Sequence, residues 1–177
     1  LNPSTCPDGY PYLRGDECVA SCGDLLNNNG VCQQTCQYYS IIGKEKVCQD
    51  SRCDALQIVE TNAIQCVAQC PPNVHSYKGT CDENLCCGEA SCEQHKFLEG
   101  DVCKDKCDGY VVSETNLTCV KEPCKFYKLD SGNKICIDEG KCTLRVQRDT
   151  DVYECVEACP SGYNKLDDVC TQDECSK

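Results

Sequence analysis

The sequence predicts a small disulfide-rich fold, an elongated tandem array of short β-ribbon and loop modules with little helix. Three observations lead there. Of 177 residues, 23 are cysteine, far above the level at which a cross-linked scaffold becomes the leading reading. Val, Leu, Ile and Phe together make up only roughly 19% of the chain beside a net charge of -12, a balance that without covalent help belongs to disordered chains. The cysteines also recur in a fixed order: "CVAQCPPNVHSYKGTCDENLC" and "CVEACPSGYNKLDDVCTQDEC" are both C-x3-C-x10-C-x4-C, both open Cys-Val and both follow the second cysteine with proline.

Cross-links therefore take the place of a large apolar core, each contributing about 2–4 kcal/mol, mostly by restricting the unfolded chain. Thiols oxidise and stay oxidised in the secretory pathway, at a cell surface or outside the cell, so the expected localisation is extracellular or cell-surface. "LNPSTCPDGYP" has neither a basic start nor an apolar run, so no signal peptide is visible and residue 1 is expected to be either the mature end or an artificial boundary of the segment. The longest weakly apolar runs, such as "YYSII", fall far short of a spanning helix, and no membrane insertion is expected of this segment. The excess of 29 Asp and Glu over 17 Lys and Arg argues against nucleic acid or anionic lipid as a partner.

All cysteines but one fall into close pairs: 18/22, 32/36, 48/53, 66/70, 81/86, 87/92, 103/107, 119/124, 136/142, 155/159 and 170/175. Cys6 is left over. From Cys36 to Cys86 the gaps read x11, x4, x12, x3, x10, x4; from Cys124 to Cys175 they read x11, x5, x12, x3, x10, x4. Tyr39 falls on Tyr127, Val47 on Ile135 and Val67 on Val156. This is an internal duplication with a period of about 88 residues, giving a first cysteine-rich repeat at 1–88 and a second at 89–177. Carried backwards, the offset sets Cys6 on Cys92. Cys87 then pairs with Cys92, and Cys6 is expected to be free or bonded to another chain.

Between the cysteines, "KVCQ", "LQIVET", "KICI" and "TLRVQ" have the β-branched or alternating look of short strands, while "CPDGY", "NNNG", "CDGY", "DSGN" and "CPSGY" are turn chemistry. No stretch holds a helical apolar period over three turns. Locally bridged modules that touch only their neighbours make an elongated array.

The phrase C-V-x-x-C-P-x-G-Y-x6-C-x4-C, intact at Cys155 to Cys175 and nearly so at Cys66 to Cys86 and in "CKDKCDGYVVSETNLTCVKEPC", resembles the furin-like and growth-factor-receptor cysteine-rich repeat, found also in cysteine-rich surface proteins of protozoa. In that family modules bridge first to third and second to fourth. The resemblance implies Cys66–Cys81 and Cys70–Cys86, Cys103–Cys119 and Cys107–Cys124, Cys155–Cys170 and Cys159–Cys175, and by extension Cys18–Cys32 and Cys22–Cys36. Cys48–Cys53 and Cys136–Cys142 would then close small loops. A shifted register, with Cys48–Cys66 and Cys53–Cys70, fits the spacing as well, and spacing does not choose.

No catalytic residue, metal site or cofactor is expected. Zinc knuckles would rarely tile a whole chain, and zinc sites favour reducing compartments. His75 and His95 sit in polar loop-like settings without a nucleophile motif, and no reactive C-x-x-C occurs. Arg14-Gly15-Asp16 is a candidate adhesion motif on a turn, although Gly-Asp is also ordinary turn chemistry. Asn116-Leu117-Thr118 is an N-glycosylation sequon. The expected function is that of a non-enzymatic extracellular interaction or structural protein: a surface antigen or adhesin ectodomain, or a subunit of an extracellular coat or filament. Its expected partners are a protein or glycan at a cell surface, or copies of itself. The alternative is a secreted serine-protease inhibitor, because "GYVVSETNLTCVKEPC" also resembles the closing turn of trypsin-inhibitor-like domains.

Overall fold

The structure, a computed structural model, describes residues 2–93 and 97–172. Among these residues the chain folds as ten consecutive β-hairpins, and only Pro3–Thr5 and Glu139–Lys141 form short 3-10 turns. The expected fold class, a disulfide-rich tandem array of short ribbons, is the one observed. The chain divides into two units, Leu1–Glu83 and Asn84–Lys177.

The first unit holds hairpins β1 (Tyr12–Arg14) with β2 (Glu17–Val19), and β3 (Leu26–Asn28) with β4 (Val31–Gln33). β5 (Tyr38–Ile42) with β6 (Glu45–Gln49), β7 (Leu56–Val59) with β8 (Ile64–Val67), and β9 (His75–Tyr77) with β10 (Thr80–Asp82) follow. The second unit opens with β11 (Phe97–Glu99) and β12 (Val102–Lys104), then β13 (Tyr110–Val111) and β14 (Cys119–Val120). β15 (Phe126–Asp130) with β16 (Asn133–Cys136), β17 (Leu144–Asp149) with β18 (Val152–Val156), and β19 (Asn164–Leu166) with β20 (Val169–Thr171) complete it. Tight turns such as Asn29-Gly30, with φ of 50° and 85°, match the twist of the strands they join.

Inside each unit the first strand of one hairpin pairs in parallel with the second strand of the next, as in β1 with β4, β3 with β6, and β17 with β20. Each unit is thus a file of hairpins with nearest-neighbour contacts. The core is correspondingly small: Phe97, Val111, Leu117 and Ile135 gather around Cys107 and Cys119 in one unit, and Leu26, Tyr39 and Ala63 beside Cys36 and Cys48 in the other.

All 22 cysteines among the described residues are bonded. The pairs are Cys6–Cys18, Cys22–Cys32, Cys36–Cys48, Cys53–Cys66 and Cys70–Cys81 in the first unit. The second has Cys86–Cys92, Cys87–Cys103, Cys107–Cys119, Cys124–Cys136, Cys142–Cys155 and Cys159–Cys170. With the exception of Cys86–Cys92, every bond ties the cysteine that precedes a hairpin to the cysteine in that hairpin's second strand.

This register corrects every pairing expected from the sequence. Cys18–Cys32, Cys66–Cys81, Cys103–Cys119 and Cys155–Cys170 would join second strands that have a first strand between them. Two ladder spacings are about 9.6 Å, whereas the Cα atoms of a bridge lie within about 7 Å; the observed separations are 5.1–6.1 Å. Cys22–Cys36 and Cys107–Cys124 would join cysteines leading into different hairpins, and these two, with Cys70–Cys86 and Cys159–Cys175, do not form because Cys22, Cys70, Cys107 and Cys159 each close onto their own hairpin. Cys175 lies outside the described residues. The short pairs Cys48–Cys53, Cys87–Cys92 and Cys136–Cys142 sit between hairpins, and each of their cysteines is drawn to a hairpin partner or, for Cys92, to Cys86. The alternative of Cys48–Cys66 with Cys53–Cys70 does not form either, since Cys53 takes Cys66. Cys6, expected to be unpaired, bonds Cys18. In role Cys6 therefore matches Cys87, not Cys92, and Cys86–Cys92 is an additional clip. Because that clip and Cys87–Cys103 tie residues 86 and 87 forward, the division falls at Glu83/Asn84, ahead of the 88/89 boundary taken from the repeat.

Candidate functional site

Arg14-Gly15-Asp16 occupies the tip of the first hairpin. Arg14 pairs with Glu17 across the ladder, leaving Gly15 and Asp16 as a two-residue turn, with Gly15 at φ +60°. Arg14, Asp16 and Glu17 are exposed. The guanidinium does not lie free: its Nη2 donates to the carbonyl oxygen of Cys22 at 2.9 Å, which anchors the arginine on the segment entering the second hairpin. The tip consequently presents two adjacent carboxylates on a turn held by Cys6–Cys18.

Asn116 lies in the loop between β13 and β14. Ser113 Oγ accepts from the Asn116 N–H at 3.0 Å, and Asn116 Oδ1 accepts from both the N–H and the hydroxyl of Thr118, at 3.2 Å and 2.6 Å. Leu117 between them is buried against Phe97, Val111 and Ile135. One apolar peg thus pins the loop while the side chain of Asn116 is exposed. The stretch that suggested a protease inhibitor is this same hairpin, with its loop folded onto itself.

His75 is half-buried in β9, and its Nδ1 has no hydrogen-bond partner; His95 lies outside the described residues. Among the described residues no three His, Cys, Asp or Glu side chains gather in a way that could hold a metal ion, and no helix is long and apolar enough to cross a membrane. A cavity of about 410 Å³ in the second unit is lined by Phe97, Glu114, Leu117, Lys128 and Ile135 among others. Glu114 there bonds Lys128 and Lys141, and the two ammonium groups, Lys128 first, hold its carboxyl below the usual range.

A ladder of rings and cations, not legible in the sequence, joins neighbouring hairpins of the second unit. Phe126 stacks on Tyr153 with centroids 5.5 Å apart, and the Arg145 guanidinium lies 5.4 Å from the Tyr153 centroid. Tyr110 meets Tyr127 edge-on at 5.5 Å with Lys134 over both rings. Beside them Arg148 donates to the buried carboxylate of Glu154 at 2.6 Å. Burial, then the Glu154 charge, raises the Tyr127 phenol above its ordinary value. In the first unit Tyr39, 1% exposed, donates its hydroxyl to Glu60 at 2.8 Å; burial first and this bond second raise its pKa. The one signal for this role was the alignment of Tyr39 with Tyr127.

Comparison with known proteins returns no matching family model, no matching curated protein and no matching solved structure.

Proposed function

We propose that this chain is a non-enzymatic extracellular interaction or structural protein, a set of cross-linked hairpins that displays its turns to a protein or glycan at a cell surface or to copies of itself. One observation carries this reading: all 22 described cysteines are consumed in bonds, ten of which close a single hairpin each. Such a framework requires an oxidising compartment and leaves none of the described thiols for chemistry.

The test is to express the chain through a secretory pathway and in a reducing cytosol, then map its peptides without reduction. Secreted protein yields the eleven bonds above, and cytosolic protein yields an unfolded chain. An ordered protein with free thiols from the cytosol overturns the reading. Two surface features belong to it. Asn116 carries an N-linked glycan in secreted material, read as a glycosidase-sensitive mass that Asn116→Gln removes. The Asp16 tip mediates adhesion, read as cell attachment that Asp16→Ala abolishes and that Asp24→Ala, exposed but outside the turn, leaves unchanged.

A further inference from the structure

The eight junctions between neighbouring hairpins inside the two units obey one register. The first-strand residue that faces its own hairpin's cysteine pairs, in parallel, with the residue just before the next hairpin's cysteine. Leu13 faces Cys18 and pairs with Val31; Tyr39 faces Cys48 and pairs with Gln65; Val111 faces Cys119 and pairs with Ile135; Arg145 faces Cys155 and pairs with Val169. Asn27 with Val47, Gln57 with Thr80, Leu98 with Thr118, and Tyr127 with Glu154 follow the same rule. The cause is hydrogen-bond alternation: the residue facing the cysteine is a non-hydrogen-bonded pair within the hairpin, so its N–H and C=O point outward. That N–H donates to the carbonyl two residues before the next cysteine, as Leu13 does to Gly30 at 2.8 Å and Arg145 to Asp168 at 2.9 Å.

Two edges are left over. β19 ends one sheet and β2 ends the other, with no further strand on their outer sides among the described residues. They are the two halves of the repeated junction. Lys165 faces Cys170 in β19, so the rule pairs it with the residue before an incoming cysteine, which in β2 is Glu17 before Cys18. Both side chains are exposed, and their charges are opposite. Lys165 N–H would donate to the Asp16 carbonyl. Leu166, 66% exposed on the same strand, would be covered.

We propose that the outer edge of β19 binds β2 of a second copy of this chain in parallel, by strand addition. A heterologous contact of this kind passes from copy to copy and builds assemblies larger than a dimer, open or closed into a ring according to the rotation between neighbours. The proposal rests on the structural reading above and names its partner and register.

The test is sedimentation velocity of the oxidised chain on a Cys175→Ser background, so that no thiol can join copies, at up to about 1 mM because a contact this small is weak. The expected result is a concentration-dependent series of oligomers that goes beyond the dimer. Lys165→Glu or Glu17→Lys alone weakens association about fivefold, and the two together restore it. Lys165→Pro removes only the outward N–H, leaving the hairpin's own bonds, and abolishes association. A chain that stays monomeric with its eleven bonds intact overturns the junction and leaves the extracellular reading standing, as does association indifferent to these substitutions. A chain that fails to form the bonds on secretion overturns both.

Discussion

Cys-Pro-x-Gly-Tyr and Cys-Asp-Gly-Tyr read alike, yet their glycines answer different constraints. In the first phrase the turn is closed by Tyr10 N–H to Pro7 O at 3.1 Å and by Tyr163 N–H to Pro160 O at 3.0 Å, with Gly9 and Gly162 at φ +90° and +85°. Asn73 takes the same place at φ +63° in the turn closed by Val74 N–H to Pro71 O. Gly109 needs no left-handed backbone; a Cβ there would lie 2.2 Å from the Val120 carbonyl oxygen. Asn73→Gly is therefore expected to be neutral or stabilising, and Asn73→Val to cost about 1–2 kcal/mol. Gly109→Ala is expected to cost about 1–3 kcal/mol and to open the β13–β14 pair, read as lost amide protection at Tyr110 and Val120, the pair that exchanges hydrogen bonds within that hairpin. Tyr39 gives a pH dependence. Its pKa is raised in the folded chain, so the unfolded chain loses its proton first as pH climbs past about 10, and stability present below that pH is lost above it. The melting temperature should fall through this window, and less steeply in Tyr39→Phe.

At the scale of the element, the hairpin with its own bond is the unit that folds. Replacing Cys159 and Cys170 together by serine frees a loop with a sequence separation of 11 and should cost about 3 kcal/mol by loop entropy. Because contacts run only to the adjacent hairpin, hydrogen exchange should quicken in β19 and β20 while β15 and β16 keep their protection. How much of this was legible depended on length. "KVCQ", "LQIV", "KIC" and "LRVQ" fall in β6, β7, β16 and β17, strands of four to six residues in which β-branched content shows. "YLR", "HSY" and "NKL" are three-residue strands, too short for any alternation to register. The bond register was hidden for a related reason. Cysteines three or four residues apart, such as Cys18 and Cys22, mark the end of one hairpin and the entry to the next, so closeness in sequence points away from the true partner. The turn holding Arg14-Gly15-Asp16 was readable from its own residues, but Arg14's bond to Cys22 and the ring ladder depend on which hairpins lie side by side, and no local pattern records that.

At the scale of the whole molecule, the placement of the bonds bears on folding. Five lie within Leu1–Glu83 and six within Asn84–Lys177, and each unit has its own apolar cluster. Every loop that must close to oxidise one unit is therefore contained in that unit, with separations no longer than 16 residues. Short loops cost little entropy to close, and local contacts of this kind form without waiting for distant partners. Residues 1–83 and 84–177, secreted as separate polypeptides, are expected to acquire the same five and six pairs as in the full chain, read by peptide mapping without reduction. Reduction of either fragment should abolish its ordered structure, since clusters of three to six buried residues cannot offset the ordering of some eighty residues at about 1–2 kcal/mol each. Scrambled pairs in an isolated fragment, alongside native pairs in the full chain, would show instead that one unit templates the other and that the hairpin file does not fold from local contacts alone.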